Sequence, residues 1–288
     1  MSGTRSDVRS DVRADARADE GVGGIDADAA AYLALLSAQG VAVTGAQSSA
    51  IDAFYVTGKD EGWYSDLKRL FLPIWAAAGP NAIDMIGGTS GTFNGSMTHG
   101  SGFVTGDGSS SYFNVGATPS AMGIATGDAF ILRGIHASPA TALHIACGVE
   151  LTSASKSLAM LNFGNTHGST GLTYFRQSTS PAEVTLTGQG TEYRGIYIGS
   201  CTATNSRFIM RRRSGGTTVG SSGVSATEAV NDLNPYFMGR NRDGTLNSPS
   251  NGSEFAWALG TGMTQAQATD FTAALETMWE TCTGLTLF

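Results

Sequence analysis

Between residues 89 and 262 apolar side chains recur with a period of two, in short runs broken by Gly, Ser, Asn and Thr. Successive residues of a strand point to opposite faces, so this pattern suits half-buried strands and does not suit a helix. Ten segments carry it: 111–115, 129–135, 143–150, 158–163, 172–176, 182–186, 194–200, 205–211, 235–239 and 254–259. Many short strands with turn residues at nearly regular spacing mean a sandwich or barrel rather than a βαβ fold. Composition agrees. The 288 residues include 39 Gly, which serve tight turns, and 41% are hydrophobic, more than a disordered chain carries.

The flanks change period. Residues 25–88 read as a small helical region. A first helix opens at Asp26 or Asp28, sets Tyr32, Leu35 and Leu36 on one face and closes at Gly40. A second starts with Thr44 and Gln47 at capping-box spacing and buries Ile51, Phe54 and Tyr55. The spacing of Trp63, Leu67, Leu70 and Phe71 predicts a third, ended by Pro73. Helices this short need a surface to pack on: each other, the sandwich or a neighbouring subunit. Residues 263–288 predict an amphipathic helix capped by Thr264 and Gln267. Its stripe is Ala268, Phe271, Leu275, Met278, Trp279 and Cys282, and it ends at Gly284.

Residues 1–24 stand apart as a charged arm, reading SDVR, SDVR, ADAR, ADE from Ser6. In a helix, Asp7, Asp11, Asp15 and Asp19 would fall at i,i+4, as would Arg9, Arg13 and Arg17, and like charges at that spacing destabilise it. An extended chain instead alternates Asp and Arg on one face. Ordering about twenty such residues costs on the order of 20–40 kcal/mol with little apolar burial to offset it. Two readings stand: a strap ordered by a partner or neighbouring subunit, and a solvated tail.

The formal charge is −7 and the only lysines are Lys59, Lys68 and Lys156. Without a net positive field the chain lacks the long-range attraction that drives nucleic-acid binding, and an acidic surface disfavours anionic membranes. Cys147, Cys201 and Cys282 are widely spaced with no CxxC pair, which suits reduced, buried thiols made in a reducing cytoplasm. No run is apolar and long enough to span a membrane, and the N-terminus shows no signal-peptide core.

Three stretches carry a resemblance: AIDAFYVTGKDEGWYSDLKRLFLPI, SGFVTGDGSSSYFNVG at 101–116, and YFMGRNRDGTLNSPSNGSEFAWALGTGMTQAQATDFTAALETMWETC. In that order the chain resembles bacteriophage virion surface proteins with a concanavalin A-like (lectin/glucanase, laminin-G-type) β-sandwich, over residues 28–284. The resemblance implies a mainly β, jelly-roll sandwich at 89–262 with the small helical region before it and the helix 263–288 docked on it. It also implies a structural protein of the particle, such as a tail fibre or tip, or a head fibre or decoration protein. Such a protein is made in the host bacterial cytoplasm and located in the virion. It would be held by other virion proteins through residues 1–88, be a homo-oligomer, and display its sandwich for attachment to host-surface polysaccharide. A stand-alone carbohydrate-binding module and a polysaccharide-degrading enzyme are the alternatives on the same fold.

Candidate chemistry is sparse. Hydrolases of this fold carry their carboxylates as E-x-D-x-x-E, and the chain has no such spacing. Asp107, Asp128, Glu150, Glu183, Glu192, Glu228, Asp232, Asp243 and Glu254 are scattered, so no catalytic residue is assigned and no enzyme is expected. His99, His136, His144 and His167 lack metal-ligand spacing, and no cofactor motif occurs. Alternation puts Arg207, Arg211 and Arg213 on one strand face, opposite Arg212, Phe208 and Met210. They read as a contact for an anion or a neighbouring subunit's carboxylates, or as a solvated strand end that blocks edge pairing. The loop 240–253, with Asn241, Asp243, Asn247 and Asn251 and with Tyr236 or Trp257 as a stacking face, has the make-up of a glycan site. The same residue types also make ordinary turns.

Overall fold

Each of the ten period-two segments overlaps a strand in the computed structural model, which describes residues 24–137, 145–152, 156–163, 172–177, 183–187, 193–223 and 232–288. Residues 1–23 of the arm, His144, His167, Glu192 and Glu228 lie outside the described residues. Helices α1 (Ala27–Ala38) and α2 (Gly45–Asp60) lead into strand β1 (Leu67–Phe71) and the single turn α3 (Ala78–Asn81). Short strands β2 (Thr92–Asn94), β3 (Met97–His99), β4 (Val104–Gly106) and β5 (Tyr112–Asn114) follow. The longer strands are β6 (Ala129–Ala137), β7 (Ile145–Leu151), β8 (Lys156–Phe163), β9 (Leu172–Gln177), β10 (Glu183–Leu186), β11 (Gly195–Ala203), β12 (Ser206–Arg213) and β13 (Gly216–Ser222). Then come β14 (Tyr236–Phe237), β15 (Arg240–Arg242), β16 (Thr245–Asn247), β17 (Ser253–Gly260) and helix α4 (Gln265–Thr283).

The strands form two sheets. The first runs β13-β12-β11-β6-β17-β4-β3, with β1 also on β17; the second runs β10-β9-β8-β7-β14-β5-β2, with β15 on β7 and β16 on β15. The chain crosses between sheets from β1 to β2, β2 to β3, β4 to β5, β5 to β6, β6 to β7, β10 to β11, β13 to β14 and β16 to β17. The result is the expected mainly β, jelly-roll sandwich with a small N-terminal helical region and a C-terminal helix.

The first sheet is covered on both sides, which strict half-burial did not anticipate. Toward the second sheet it turns Ile131, Ile135, Tyr197, Ile209, Trp257 and Leu259, packed on Phe113, Val149, Met160, Phe175 and Phe237. Toward the helices it turns Phe130, Leu132, Ile196, Ile198, Phe208, Met210 and Phe255. Phe54, Trp63 and Phe271 pack there with ring centroids 5.0–6.1 Å apart, and Phe271 reaches Phe130 at 6.2 Å. Gly134 and Gly199 sit where a Cβ would fall 2.5 Å from the Phe255 ring and 2.3 Å from the Phe175 ring. Glycine is needed at both for close approach, not for its dihedrals.

The caps behave as the sequence implies. Thr44 with Gln47 and Thr264 with Gln267 form complete capping boxes, and Gly284 ends α4 in the left-handed conformation. All six stripe residues of α4 are buried; such burial contributes roughly 8–15 kcal/mol before conformational entropy is subtracted. Two details differ. Leu35 is exposed while Tyr32 and Leu36 are buried. The expected third helix is a turn of 3-10 helix at Tyr64–Asp66 followed by β1. Its residues pair with the edge of β17, Leu67 with Gly260 and Leu70 with Ala258, across a bulge. The bulge lets Leu67 and Leu70 both face the helices, imitating helical spacing. A lone five-residue helix is marginal, whereas unpaired strand-edge groups reward a partner.

Candidate functional site

The loop read as a glycan site folds as a hairpin. Asp243 and Gly244 both have positive φ (52° and 84°), so β15 and β16 are joined by a two-residue Asp-Gly turn of the kind favoured between twisted strands. The Asp243 carboxylate accepts from the Thr152 hydroxyl (2.6 Å) and Thr152 N–H (2.8 Å), and these bonds hold its carboxyl below the ordinary value. The Asn241 amide is buried and donates to Asn234 O at 2.9 Å, and its Oδ1 is buried without a hydrogen bond. Asn247 Oδ1 accepts from Arg240 Nε and Ser248 Oγ, both at 3.0 Å. Asn251 is half-buried beside Gly108, and Glu150 pairs with Arg240 and lies 3.9 Å from Arg242.

The two proposed stacking residues part company. Trp257 has no exposure; it lies in the inter-sheet core against Phe113 (4.8 Å) and Phe237 (5.6 Å) and donates Nε1–H to Glu254 at 2.7 Å. Contrary to the sequence reading, it cannot be a sugar platform: β17 is central and covered on both faces, which alternation along one strand does not reveal. Tyr236 is itself buried, at 9% exposure, and stacks on the half-buried Tyr112 at 4.3 Å, so it offers little free face of its own. Their strand neighbours Phe237 and Phe113 point into the sandwich, so the tyrosine pair lies on the outer face of the second sheet. Of the six glycan candidates, Tyr236, Asn241, Asp243 and Asn247 thus belong to one stretch of that sheet, and most of their polar capacity is already used.

The arginine face also needs correcting. Arg207 and Arg211 are 3% and 1% exposed, because β12 lies between β11 and β13 with its inner face under the second sheet. Arg207 donates to Thr204 O at 2.6 Å; Arg211 donates to Arg194 O at 2.8 Å and lies over the Tyr197 ring at 5.2 Å. Arg213 alone of the three is exposed. The division of faces is as expected: Arg212 points the other way and pairs with Glu276 of α4 at 2.5 Å. Arg211 and Arg213 share a cavity of about 250 Å3 with Arg194, Ser214, Gly215 and Phe288. Arg194 escapes a reading of the sequence, since only the pairing of β11 with β12 brings it near residues so far along the chain.

Among the described residues the sandwich encloses one fully buried ion pair, Arg133 with Glu254. Burial raises the Glu254 carboxyl, and Arg133 and the Trp257 N–H offset that only in part. His136 is in β6, stacked on Phe103 at 4.5 Å, and burial with the nearby Arg194 lowers its basicity. His99 lies 3.0 Å from the Asn81 amide. The three cysteines are free and buried, and burial pushes the Cys147 thiol up to about 12. Among the described residues no three His, Cys, Asp or Glu side chains converge as metal ligands do, and no helix is long and apolar enough to cross a membrane.

No protein-family description matches the chain, and no curated protein does. Two solved structures are similar in part: the CBM40 of a Ruminococcus gnavus IT-sialidase bound to α2,3-sialyllactose, at 11% identity, and the CBM40 of the same sialidase in a second structure, at 12%. Each covers 50% of this chain and 82% of the other, with a TM-score of 0.28.

Proposed function

We propose that this chain is a non-catalytic structural protein of a bacteriophage-like particle, a tail fibre or tip or a head fibre or decoration protein. In this reading residues 1–88 attach it to other virion proteins and the sandwich is displayed for contact with host-surface glycan. The observation that carries the non-catalytic part is the fate of the acids. Each sandwich carboxylate whose side chain is described fixes the fold. Asp107 caps the turn at Ser109–Ser111, and Asp128 accepts from Gly262 N. Glu150 pairs with Arg240, Asp232 accepts from Ser120, Asp243 holds Thr152 and Glu254 pairs with Arg133. Glycoside hydrolysis instead needs two carboxyl groups free to flank one bond.

Support for display comes from the asymmetry of the molecule. Helices α1, α2 and α4 pack their buried residues on one side of the first sheet, while the Tyr112–Tyr236 pair and the Asp-Gly hairpin lie on the outer side of the second. Attachment and contact then use opposite surfaces. Support for a particle is the order of the three sequence stretches over residues 28–284. Antibody detection in particles purified from the producing bacterium tests this: the chain is expected to co-sediment with them in several copies. Its absence from particles overturns the reading. Glycan contact is tested separately, by binding of the chain to host envelope polysaccharide. A loss of about tenfold is expected for Tyr112→Ala, the half-buried member of the tyrosine pair, as for removal of one stacking contact worth about 1.4 kcal/mol. No binding by the parent chain removes adhesion and leaves the structural role standing.

A further inference from the structure

The helical region meets the margin of the first sheet through one amide side chain. Trp75 N–H donates to Asn81 Oδ1 at 2.7 Å, and Trp75 Nε1–H donates to the Tyr32 hydroxyl of α1 at 3.1 Å. Asn81 ends α3, has no exposure, and its Nδ2 lies 3.0 Å from His99 Nδ1. His99 ends β3, the last strand of the first sheet. Asn81 thus links α1, through Trp75, to that outermost strand.

A backbone N–H can only donate, so the Asn81 oxygen must face Trp75 and its nitrogen must face His99. That nitrogen donates, which leaves His99 Nδ1 as the acceptor and puts the proton of the neutral imidazole on Nε2. A second proton, added at Nδ1, would set donor against donor. Turning the amide over does not cure this, because the Nδ2 group would then face the Trp75 N–H. With Asn81 fully buried, water does not replace the lost partner. The other elements against the ring bring no charge: β2 presents Phe93, edge-on at 4.5 Å, and β4 presents Val104 as the strand partner. Burial lowers the basicity of His99, in the same direction as the amide, and no charged group among the described residues adds to it.

We propose that His99 is a proton-operated latch: neutral, it holds Asn81 and with it the helical region against the edge of the first sheet, and protonation releases that contact. The folded chain favours neutral His99, so unfolding takes up a proton as the medium is acidified. The stabilising contribution is therefore whole above about pH 6.5 and is lost as the pH falls through the lower folded value. His136 loses basicity too, through burial and Arg194, and adds acid sensitivity of the same sign from a separate place. The latch stands independently of the particle reading.

Nitrogen-15 NMR of the full chain, labelled at histidine and tryptophan, tests this over about pH 8 to 4, which brackets histidine titration. His99 is expected to carry its neutral proton on Nε2 and to titrate below the ordinary value of about 6.5. The Trp75 backbone amide signal is expected to shift with that same midpoint. It should stay still in His99→Gln, whose side-chain oxygen accepts from Asn81 at every pH. Asn81→Asp sets a carboxylate oxygen against Nδ1 and is expected to raise the His99 midpoint above about 6.5. In urea unfolding, His99→Gln should lose less stability than the parent between about pH 7 and pH 5, His136 remaining in both. Should Asn81→Asp not fold, His99→Gln carries the comparison alone. A neutral proton on Nδ1, a parent midpoint at or above about 6.5, or a Trp75 signal that does not follow it overturns the proposal. So does an unraised midpoint in folded Asn81→Asp, or equal acid loss in His99→Gln and the parent.

Discussion

The two faces of the first sheet are buried to the same depth by different chemistry. On the helix side, β6, β11, β12 and β17 present Phe130, Leu132, Ile196, Ile198, Phe208, Met210 and Phe255, and polar groups appear near its margins, as with Arg212 and Ser200. On the sandwich side the same strands turn in Arg133, Tyr197, Arg207, Arg211 and Glu254 among aliphatic and aromatic residues. The helix side is held by filled volume. The sandwich side also depends on every buried charge keeping its partner, because an orphaned charge there costs several kcal/mol.

The largest test of this contrast is on the helix side. Phe271→Ala empties the centre of the Phe54–Trp63–Phe130 cluster and is expected to lower the unfolding free energy in urea by about 4 kcal/mol. Glu254→Gln leaves Arg133 buried without its counter-ion and is expected to cost about 3 kcal/mol. The double replacement Arg133→Met with Glu254→Leu should return stability to within about 1 kcal/mol of the parent, since an apolar pair of similar volume needs no partner. A double variant no better than Glu254→Gln would mean the pair acts through shape and not charge. The smallest effect belongs to the pair at the sheet margin: Arg212→Gln is expected to cost under about 1 kcal/mol, and less at about 0.5 M salt, since its partners are 29% and 17% exposed. Salt should leave the Glu254→Gln cost unchanged, and a shared salt dependence would erase the distinction of depth.

Much of the fold is legible in the sequence because the residues concerned act locally. Both capping boxes, the α4 stripe and the ten strand segments depend on spacing within one element, and spacing is what a sequence displays. Leu67–Phe71 reads as a helix because a bulged strand and a helix turn place Leu67 and Leu70 on one side alike. Trp257 and Arg211 read as surface residues because alternation distinguishes the two faces of a strand but not whether one or both are covered. The strand Gly216–Ser222, with exposed Thr and Gly, carries too little apolar signal to be seen at all. The cavity arginines fall between these cases: Arg211 and Arg213 share a face by simple parity, while Arg194 joins them through strand pairing alone.

Gly134 and Gly199 occupy the seats of phenylalanine rings, one on each side of the sheet. In descendants of this chain such a ring and its hollow can change only as a matched pair. A methyl added at residue 199 is harmful while Phe175 remains and tolerable once that ring has shrunk. Drift should therefore leave correlated substitutions at 134 with 255 and at 199 with 175, recording which elements have stayed in register while loops around them diverged.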